Sequence, residues 1–504
     1  MMKTMTIENR FNLIDEPWIP VSDHGPVSLR QIFTVNQYKS LGGNPVEKIA
    51  LLKLLQAITH AAVTPENDNA WQALGYAGLA VECLAYLERW HHVFYLFGEQ
   101  PFLQMPAINK AEIKSYGTVL PYIATGNSTV ITHGQIEGQL SDAEKAIMLV
   151  VQMSMALGGK KTDNEVVLTA GYRGKTKDPG KATTGRPGPG LAFLGMMHSF
   201  YEGTCLQETL WLNMFTCEEI QRKQMFTGVG IPPWEKMPAG EDDDIARALK
   251  SSLVGRLVPL CRFCLLVDSG LHYSEGIAHA NYQEGIVDPS VAVNFSTKKP
   301  LVLWIDPEKK PWRELMALLG FFVGTDAQGF ECWQIKSGFD RIRSAVPAFA
   351  IWSGGLRVSS NAGEQFVSGN DDFVQSQVWL ESCIIGEMWF QYLKAEIEAL
   401  EGLSKGLYGR VKGFYADQKL DGAKYAALAS NLFWQYCEKD FHDLIAACSD
   451  DGENPEKRRL ELRQNFACYV LQIYDLFCPM ETARQLEAWA KNKPNNGKYL
   501  KREN

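Results

Sequence analysis

The chain has 504 residues, more than a single core ordinarily holds, so we expect two domains, one of them large. Its 46% hydrophobic and 21% charged residues are typical of a folded globular protein rather than a disordered one. The formal net charge of −8 argues against a protein that coats DNA non-specifically, because Lys and Arg drive such binding, but it allows DNA contacts through locally basic loops.

The first part of the chain combines short extended pieces with helices. The opening FNLIDEPWIPV (11–21) predicts a short strand interrupted by two prolines, and EQPFLQ (99–104) predicts a proline-turned extended piece. Helical spacing of apolar residues covers 46–63, 71–90 and 140–157. Ser141 is the candidate N-cap of the third of these helices.

The segment 158–190 differs in composition from everything around it. It contains eight Gly, three Pro and seven basic residues against three acidic ones, a local surplus of four positive charges. Such a composition predicts a long cationic loop. We expect its cations to contact the DNA backbone: Lys160, Lys161, Arg173, Lys175, Lys177, Lys181 and Arg186.

The rest of the chain changes from strands to helices. Strand-like apolar runs occur at 260–267, 291–295, 301–305 and 348–352, and helical patterns at 373–401, 420–447, 456–477 and 480–491. Four antiparallel helices with short loops form a bundle. We therefore expect an α+β fold, with a large mixed α/β N-terminal domain over 1–370 and a C-terminal four-helix bundle over 371–504.

Candidate catalytic and metal-binding motifs are weak. Cys261 and Cys264 form a C-x-x-C without a second ligand pair, and apolar neighbours favour a buried strand pair over a metal remnant. The acidic run 241–244 follows Pro-Ala-Gly and is more typical of an exposed charged turn than of a metal clamp. The adjacent His91 and His92 diverge on a helix. No Walker A, H-E-x-x-H or G-x-S-x-G motif occurs, so we expect no catalytic site, metal or cofactor.

The cysteines and hydropathy indicate the compartment. Eleven Cys, an odd number without regular spacing, lie mostly in hydrophobic runs, as in a reduced cytoplasmic protein. We expect neither a secretory signal nor a membrane span, because the N-terminus lacks an apolar stretch and no run of eighteen apolar residues occurs.

Three loops remain as candidates for function. The first is the glycine-rich stretch around Gly185, Gly188 and Gly190, where the lack of a Cβ allows close approach of a partner. The second is the polar tip 296–299, which carries Lys298 and Lys299 between two strands, and the third is the Gly-flanked polar hairpin 354–363. Each alone is more typical of a plain turn. For the first loop, which lies beside seven basic residues, a nucleic-acid contact is about as well supported as a plain turn.

Taken in order, these features resemble the CasA family, the large subunit of the type I-E CRISPR surveillance complex Cascade. The opening 11–21 is similar to that family's N-terminus, and 99–104 is similar to its H-P-F-M-Q segment. Pro233-Trp234, Gly354-Gly355-x-Arg357 and the LFW of 432–434 fall in the corresponding order. The collinearity of these motifs carries the resemblance.

The resemblance implies a function. Such a subunit is not an enzyme; it lies at the end of the complex that holds the 5′ handle of the guide RNA (crRNA). It recognises the protospacer-adjacent motif (PAM) of double-stranded DNA from the minor groove and starts strand separation and R-loop formation, while base pairing reads the remaining sequence. The implied partners are crRNA, double-stranded target DNA, the backbone, small and 5′-handle-binding subunits, and the helicase–nuclease that it helps to recruit.

The resemblance also implies roles for individual residues. Gly185, Gly188 and Gly190 match the family's glycine loop, and Lys298 or Lys299 matches its lysine finger. Arg357, Ser359, Ser360 and Asn361 match the wedge hairpin. The chain departs from the family here, because an ungapped count puts Ser360 where a glutamine is expected, and Gln365 is displaced. By position only, Thr132, His133 and Gly134 match the contact with crRNA and a neighbouring subunit.

Two other hypotheses stay open. One is a cytosolic metal- or thiol-dependent hydrolase that uses Cys261 and Cys264 or the acidic run, which metal analysis and a nuclease assay would reveal. The other is an assembly scaffold whose basic loops bind RNA only, in which case duplexes with different PAMs would bind equally poorly.

Overall fold

A computed structural model of the chain describes residues 8–120, 139–155, 163, 165–172, 195–223, 226–323, 329–358, 373–449 and 454–500. The chain divides into two units. The first comprises Met1–Trp312 and Gln328–Gln377, and the second comprises Arg313–Ala327 and Val378–Asn504. Mixed strands and helices followed by a helical C-terminal part confirm the expected α+β class.

The helices of the first unit begin where the sequence supplies N-caps. Asn44 and Glu47 form a capping box at the start of the second helix, which has proline at its first position. Ser141 is the N-cap of the helix Asp142–Ser154, as predicted, and its side chain accepts a hydrogen bond from Glu144 N. In the described residues these helices are α1 (Leu29–Thr34), α2 (Pro45–Ala62), α3 (Asp68–Arg89), α4 (Tyr116–Val119), α5 (Asp142–Ser154), α6 (Leu206–Leu212), α7 (Cys217–Arg222), α8 (Asp244–Lys250), α9 (Leu253–Leu257), α11 (Trp333–Lys336) and α12 (Phe339–Ala345), α10 belonging to the second unit.

The strands form small antiparallel sheets rather than one large sheet. The described strands are β1 (Arg10–Asn12), β2 (Ile19–Val21), β3 (Gly25–Val27), β4 (Tyr95–Phe97), β5 (Ile113–Lys114), β6 (His198–Glu202), β7 (Arg262–Val267), β8 (Gly270–Glu275), β9 (Ala292–Asn294), β10 (Leu301–Val302), β11 (Glu331–Cys332), β12 (Ala348–Leu356) and β13 (Phe373–Glu381). Their orders are β1-β4, β2-β3, β5-β8-β7, β10-β9-β11 and β13-β12-β6.

A pair of tryptophans joins two helices in the core of the first unit. Trp71 of α3 and Trp211 of α6 stack with their ring centroids 3.9 Å apart. Each indole N–H donates to the backbone carbonyl of the other residue, at 2.9 and 3.0 Å. Both buried N–H groups are thereby satisfied, so the stack contributes apolar burial without an unpaired donor.

The second unit is built from the predicted C-terminal helices. They are α13 (Glu387–Asp417), α14 (Ala423–Ala447), α15 (Pro455–Phe477) and α16 (Ala483–Asn492). The short α10 (Leu315–Leu318) also belongs to this unit. The carboxylate of Glu396, 2% exposed, accepts hydrogen bonds from Arg463, the shortest at 2.6 Å, which links α13 to α15. Phe322 stacks on Phe390 of α13 with the ring centroids 5.5 Å apart.

The predicted helix at 373–401 is wrong in its first part. Residues Phe373–Glu381 form β13, and the helix begins at Glu387. Val374, Val378 and Leu380 are buried on every second or fourth position, the alternation of a strand with one buried face. The piece at 99–104 was predicted to be extended around its proline. It contains a turn at 101–104, since Gln104 N donates to the carbonyl of Pro101 and Leu103 has a φ of +53°.

No helix in the described part of the chain is both long enough and apolar enough to cross a membrane.

Candidate nucleic-acid interface

Four buried apolar side chains, which we call the root cluster, lie where the three candidate loops begin or end. They are Met196, Val291, Val293 and Val302. Met196 follows the glycine-rich segment, Val293 and Val302 lie at the base of the lysine hairpin, and Val358, which packs against the cluster, directly precedes 359–372. Residues more than 160 positions apart in sequence thus share one small core.

The backbone at Gly195 fixes the end of the glycine-rich segment. Its carbonyl accepts from Ile305 N at 2.8 Å, and Met197 N donates to Leu303 O at 2.9 Å. Gly195 has a φ of +101°, and a Cβ there would lie 2.6 Å from Val358 Cγ2. Only glycine adopts this conformation readily and leaves room for Val358. The ends of the first and third loops therefore meet through a glycine.

The lysine hairpin is held in shape by its own polar side chains. β9 and β10 pair antiparallel, with Asn294 opposite Leu301 and Val293 opposite Val302. Asn294 Oδ1 accepts from Ser296 N at 2.9 Å and from Ser296 Oγ at 2.7 Å, a turn typical of asparagine. Lys298 and Lys299 are exposed at the tip.

Neither lysine takes part in any ion pair between described residues, in contrast to the nearby Lys223 and Lys336, which both bind Glu331. An exposed cation without a carboxylate partner exchanges only water when it meets a phosphate or a base edge. The hairpin tip is therefore available for an anionic or polar ligand.

Exposed apolar side chains flank the two lysines. Phe295 is 52% exposed, Leu301 49% and Trp304 42%. Aromatic rings beside cations are the combination that binds nucleic acids, because rings stack on bases while cations attract phosphates.

The glycines Gly354 and Gly355 do not lie in an exposed hairpin, as the sequence had suggested. They are buried in β12, which extends to Leu356. A Cβ at Gly355 would lie 2.8 Å from Ile305 Cγ1 and 3.0 Å from Met196 O. Gly355 packs closely against Met196 of the root cluster, and Arg357 is half-buried two residues further along.

The acidic run 241–244 is exposed only in part, since Glu241 is 1% exposed whereas the side chain of Asp244 is 96% exposed. Its carboxylate accepts from the backbone N–H groups of Leu168 at 3.1 Å and Thr169 at 2.8 Å. Asp243 caps α8 through Ala246 N. Glu241 thus holds the piece 165–172 that precedes the glycine-rich segment, and buried carboxylates of this kind are stabilised by the amides that they accept from.

A buried ion pair lies beneath the hairpin. Lys53 Nζ of α2 is 2.5 Å from Asp288 Oδ2, with both side chains 1% exposed. Asp288 Oδ1 also accepts from Ser290 Oγ at 2.7 Å, and Ser290 Oγ is 2.8 Å from His198 Nδ1. The one lysine in the apolar run IALLKLLQAI was the available signal, but sequence reasoning missed it.

This network sets the charges of its members. Burial alone would raise the pKa of Asp288, but the Lys53 ammonium and the hydrogen bonds of Lys53 and Ser290 lower it below 3.8. Burial lowers the pKa of His198 to about 4, so its imidazole is neutral at pH 7. Because the pKa of Asp288 is depressed, its stabilisation is present at neutral pH and is lost as the pH falls below 3.8.

The candidate thiol and metal sites have no matching geometry. Cys261 and Cys264 are buried at the start of β7, and burial raises the pKa of the Cys264 thiol far above its usual range. His91 Nε2 instead lies 2.6 Å from Asp15 Oδ2. Within the described ranges, no three His, Cys, Asp or Glu side chains come together in a way that could hold a metal ion.

Most of the predicted contact residues fall outside the part of the chain that the structure describes. Lys298, Lys299 and Arg357 are described, at the places given above. The others lie outside the described residues: Gly185, Gly188, Gly190, Ser359, Ser360, Asn361, Lys160, Lys161, Arg173, Lys175, Lys177, Lys181, Arg186, Thr132, His133 and Gly134.

Comparison with known proteins gives matches along nearly the whole chain. The model of the CRISPR-associated protein Cse1 family matches residues 12–473. The CRISPR-associated protein CasA/Cse1 of Thermus thermophilus is 29% identical over 337 residues, which is 62% of this chain and 60% of that relative.

Solved structures share the fold. Cse1 of Thermobifida fusca superposes with a TM-score of 0.76 at 20% identity, covering 99% of both chains. CasA of Thermus thermophilus gives 0.73 at 20% identity, covering 97% of this chain and 99% of that one. A chain of a CRISPR RNA-guided surveillance complex gives 0.64 at 17% identity, covering 96% and 99%.

We predict that Gly195→Ala loosens the packing of the root cluster. An alanine with a positive φ, whose Cβ meets Val358, should destabilise the folded state by ~1–3 kcal/mol. Hydrogen exchange should become faster in peptides that cover 196–200 and 350–358. Gly329→Ala is the matched control, since a Cβ there meets nothing within 4 Å. Equal exchange in the two variants would contradict the assigned role of Gly195.

Proposed function

Because the chain belongs to the CRISPR-associated Cse1 family, also called CasA, we propose that it is the large, non-catalytic subunit of a type I-E CRISPR surveillance complex, Cascade. In this proposal it recognises the PAM of double-stranded DNA from the minor groove. It then initiates strand separation and R-loop formation, and it helps to recruit the helicase–nuclease.

The convergence on the root cluster is the observation that carries this proposal. The ends of the glycine-rich segment, the lysine hairpin and the 359–372 segment meet at Met196, Val293 and Val358. Three loops that leave one small core can reach the same few base pairs of a duplex. The exposed cations at Lys298 and Lys299 and the exposed ring of Phe295 supply the chemistry for that contact.

Each loop has a distinct task in the proposal. The glycines at 185, 188 and 190 allow the backbone to approach base edges in a narrow groove. Lys298 or Lys299 reaches the minor-groove acceptors as a long cation. Ser359, Ser360 or Asn361 inserts beside the first base pair and favours unstacking. The basic residues of 160–186 contact phosphates independently of sequence.

The proposed partners follow from the same role. Thr132, His133 and Gly134 would contact the 5′ handle of crRNA and a neighbouring subunit, and the chain would assemble with the backbone, small and 5′-handle-binding subunits. Identification of the small RNA that copurifies with the chain tests this part. The hydrolase hypothesis predicts metal-dependent cleavage by the isolated chain, whereas our proposal predicts none.

We predict that Lys298→Ala with Lys299→Ala reduces discrimination between a correct and an incorrect PAM. A base-edge contact is worth about 1–3 kcal/mol, and its loss affects the correct duplex more than the incorrect one. The measurement is binding of the assembled complex to duplexes that differ only in the PAM.

Lys309→Ala with Lys310→Ala is the matched control, since it removes the same charge a short distance further along the chain. This control should lower the affinity for both duplexes alike, or not at all. The role of the hairpin is refuted if the two double variants discriminate equally well.

We also predict that Ser360→Gly with Asn361→Gly leaves initial PAM binding largely intact but slows R-loop opening, because a wedge acts on stacking rather than on readout. A target pre-opened beside the PAM should restore the rate for this variant and not for the Lys298 and Lys299 variant. Equal rescue of both variants would show that the roles of the two loops are assigned wrongly.

A further inference from the structure

An exposed tryptophan follows the lysine hairpin, and the proposed function gives it no task. Trp304 is 42% exposed, although Val302 and Leu303 before it and Ile305 after it are buried. A single exposed apolar side chain on a protein surface is ordinary and needs no explanation. This indole is different in its position, because it lies where the candidate loops meet.

Backbone hydrogen bonds on both sides hold Trp304 in place. Leu303 O accepts from Met197 N at 2.9 Å, and Ile305 N donates to Gly195 O at 2.8 Å. Trp304 itself lies opposite Met196 in an antiparallel bridge. Because this backbone is ordered before any ligand arrives, binding to the indole loses little conformational entropy.

The indole lies against the same glycine as the residue that precedes the proposed wedge. A Cβ built on Gly195 would lie 3.6 Å from Cε3 and Cζ3 of Trp304 and 2.6 Å from Cγ2 of Val358. Ser359, the residue after Val358, is the first of the three wedge candidates. The exposed ring thus lies next to the start of the proposed wedge.

The charges near Trp304 favour a base rather than a phosphate as the ligand of its ring. Lys298 and Lys299, which suit phosphates, are exposed at the tip of the hairpin. The segment 306–310, directly after Ile305, contains two acidic and two basic residues and so has no net charge that would attract a phosphate. An indole stacks on any nucleobase, because every base has a π face.

Opening of a base pair produces a base that such a ring can bind. When the first pair beside the PAM opens, the target-strand base pairs with the guide RNA. The base on the displaced strand has lost its partner and part of its stacking. Stacking on an aromatic side chain replaces some of that loss and therefore stabilises the opened state.

We propose that Trp304 stacks on the first nucleobase of the displaced strand once the wedge has opened its pair. This inference rests on the proposed function, because it needs a duplex that is opened beside the PAM. The tasks then divide between the two parts of the segment: the lysines bind before opening, and the indole holds the product of opening. Since stacking accepts any base, Trp304 does not read the PAM.

The test uses the assembled complex and a duplex with a correct PAM that matches the guide only over the seed, so that opening stays reversible. A second duplex carries an abasic site at the first nucleotide of the displaced strand. Trp304→Ala should bind the intact duplex about tenfold more weakly than the wild type does, the loss expected for one stacked base. It should bind the abasic duplex as tightly as the wild type does, because the ring then has no base to hold.

Two further variants complete the experiment. Trp304→Phe keeps an aromatic ring and should recover most of the affinity for the intact duplex. Tyr76→Ala is the matched control, because Tyr76 is a 37% exposed aromatic residue of α3 outside the root cluster. It should match the wild type on both duplexes.

The outcomes separate this inference from the function on which it rests. No deficit for Trp304→Ala, an equal deficit on the intact and abasic duplexes, or no recovery with Trp304→Phe would overturn the stacking role alone. If instead the wild-type complex binds duplexes with correct and incorrect PAMs equally well, the proposed function fails and the inference fails with it.

Discussion

The buried ion pair between Lys53 and Asp288 is the constraint on which the arrangement of the interface depends. Asp288 also binds Ser290, which contacts His198 of β6, so one carboxylate ties α2 and β6 to the base of the lysine hairpin. Such a pair adds little net stability compared with apolar residues, but loss of one partner leaves an unpaired buried charge at a cost of about 3–5 kcal/mol. Its value here is positional, because it fixes Asp288 and Ser290, which lie just before β9 of the lysine hairpin.

Above this pair, the cations and rings of the interface are concentrated in one place. The net charge of −8 is compatible with DNA binding because exposed cations and exposed rings are gathered on one hairpin. This hairpin shares the root cluster with Met196 and Val358, which lie next to the other two candidate segments.

Local signals in the sequence predicted the described helices of ten or more residues, but not the shorter ones. The N-cap at Ser141 and the four C-terminal helices depend on residues three or four positions apart, which a single sequence displays. Contacts between distant segments were not predictable. Glu241 was expected in an exposed turn because its amide partners lie over 70 residues away, and Gly355 was expected in a loop because Met196 and Ile305, which exclude a side chain there, are remote in sequence. Helical expectations also obscured the alternation of β13, since short apolar runs fit either period.

A position-specific crosslink tests the central claim, that three loops on one core meet the PAM, most directly. p-Benzoylphenylalanine is introduced at position 295, where the 52% exposure of Phe295 leaves room for the added benzoyl group. The assembled complex that carries it is irradiated on a duplex with one labelled strand. The account predicts crosslinks confined to the PAM and the first base pair of the target, and their loss when the PAM is altered. Crosslinks spread along the protospacer, or equally strong with an incorrect PAM, would contradict it.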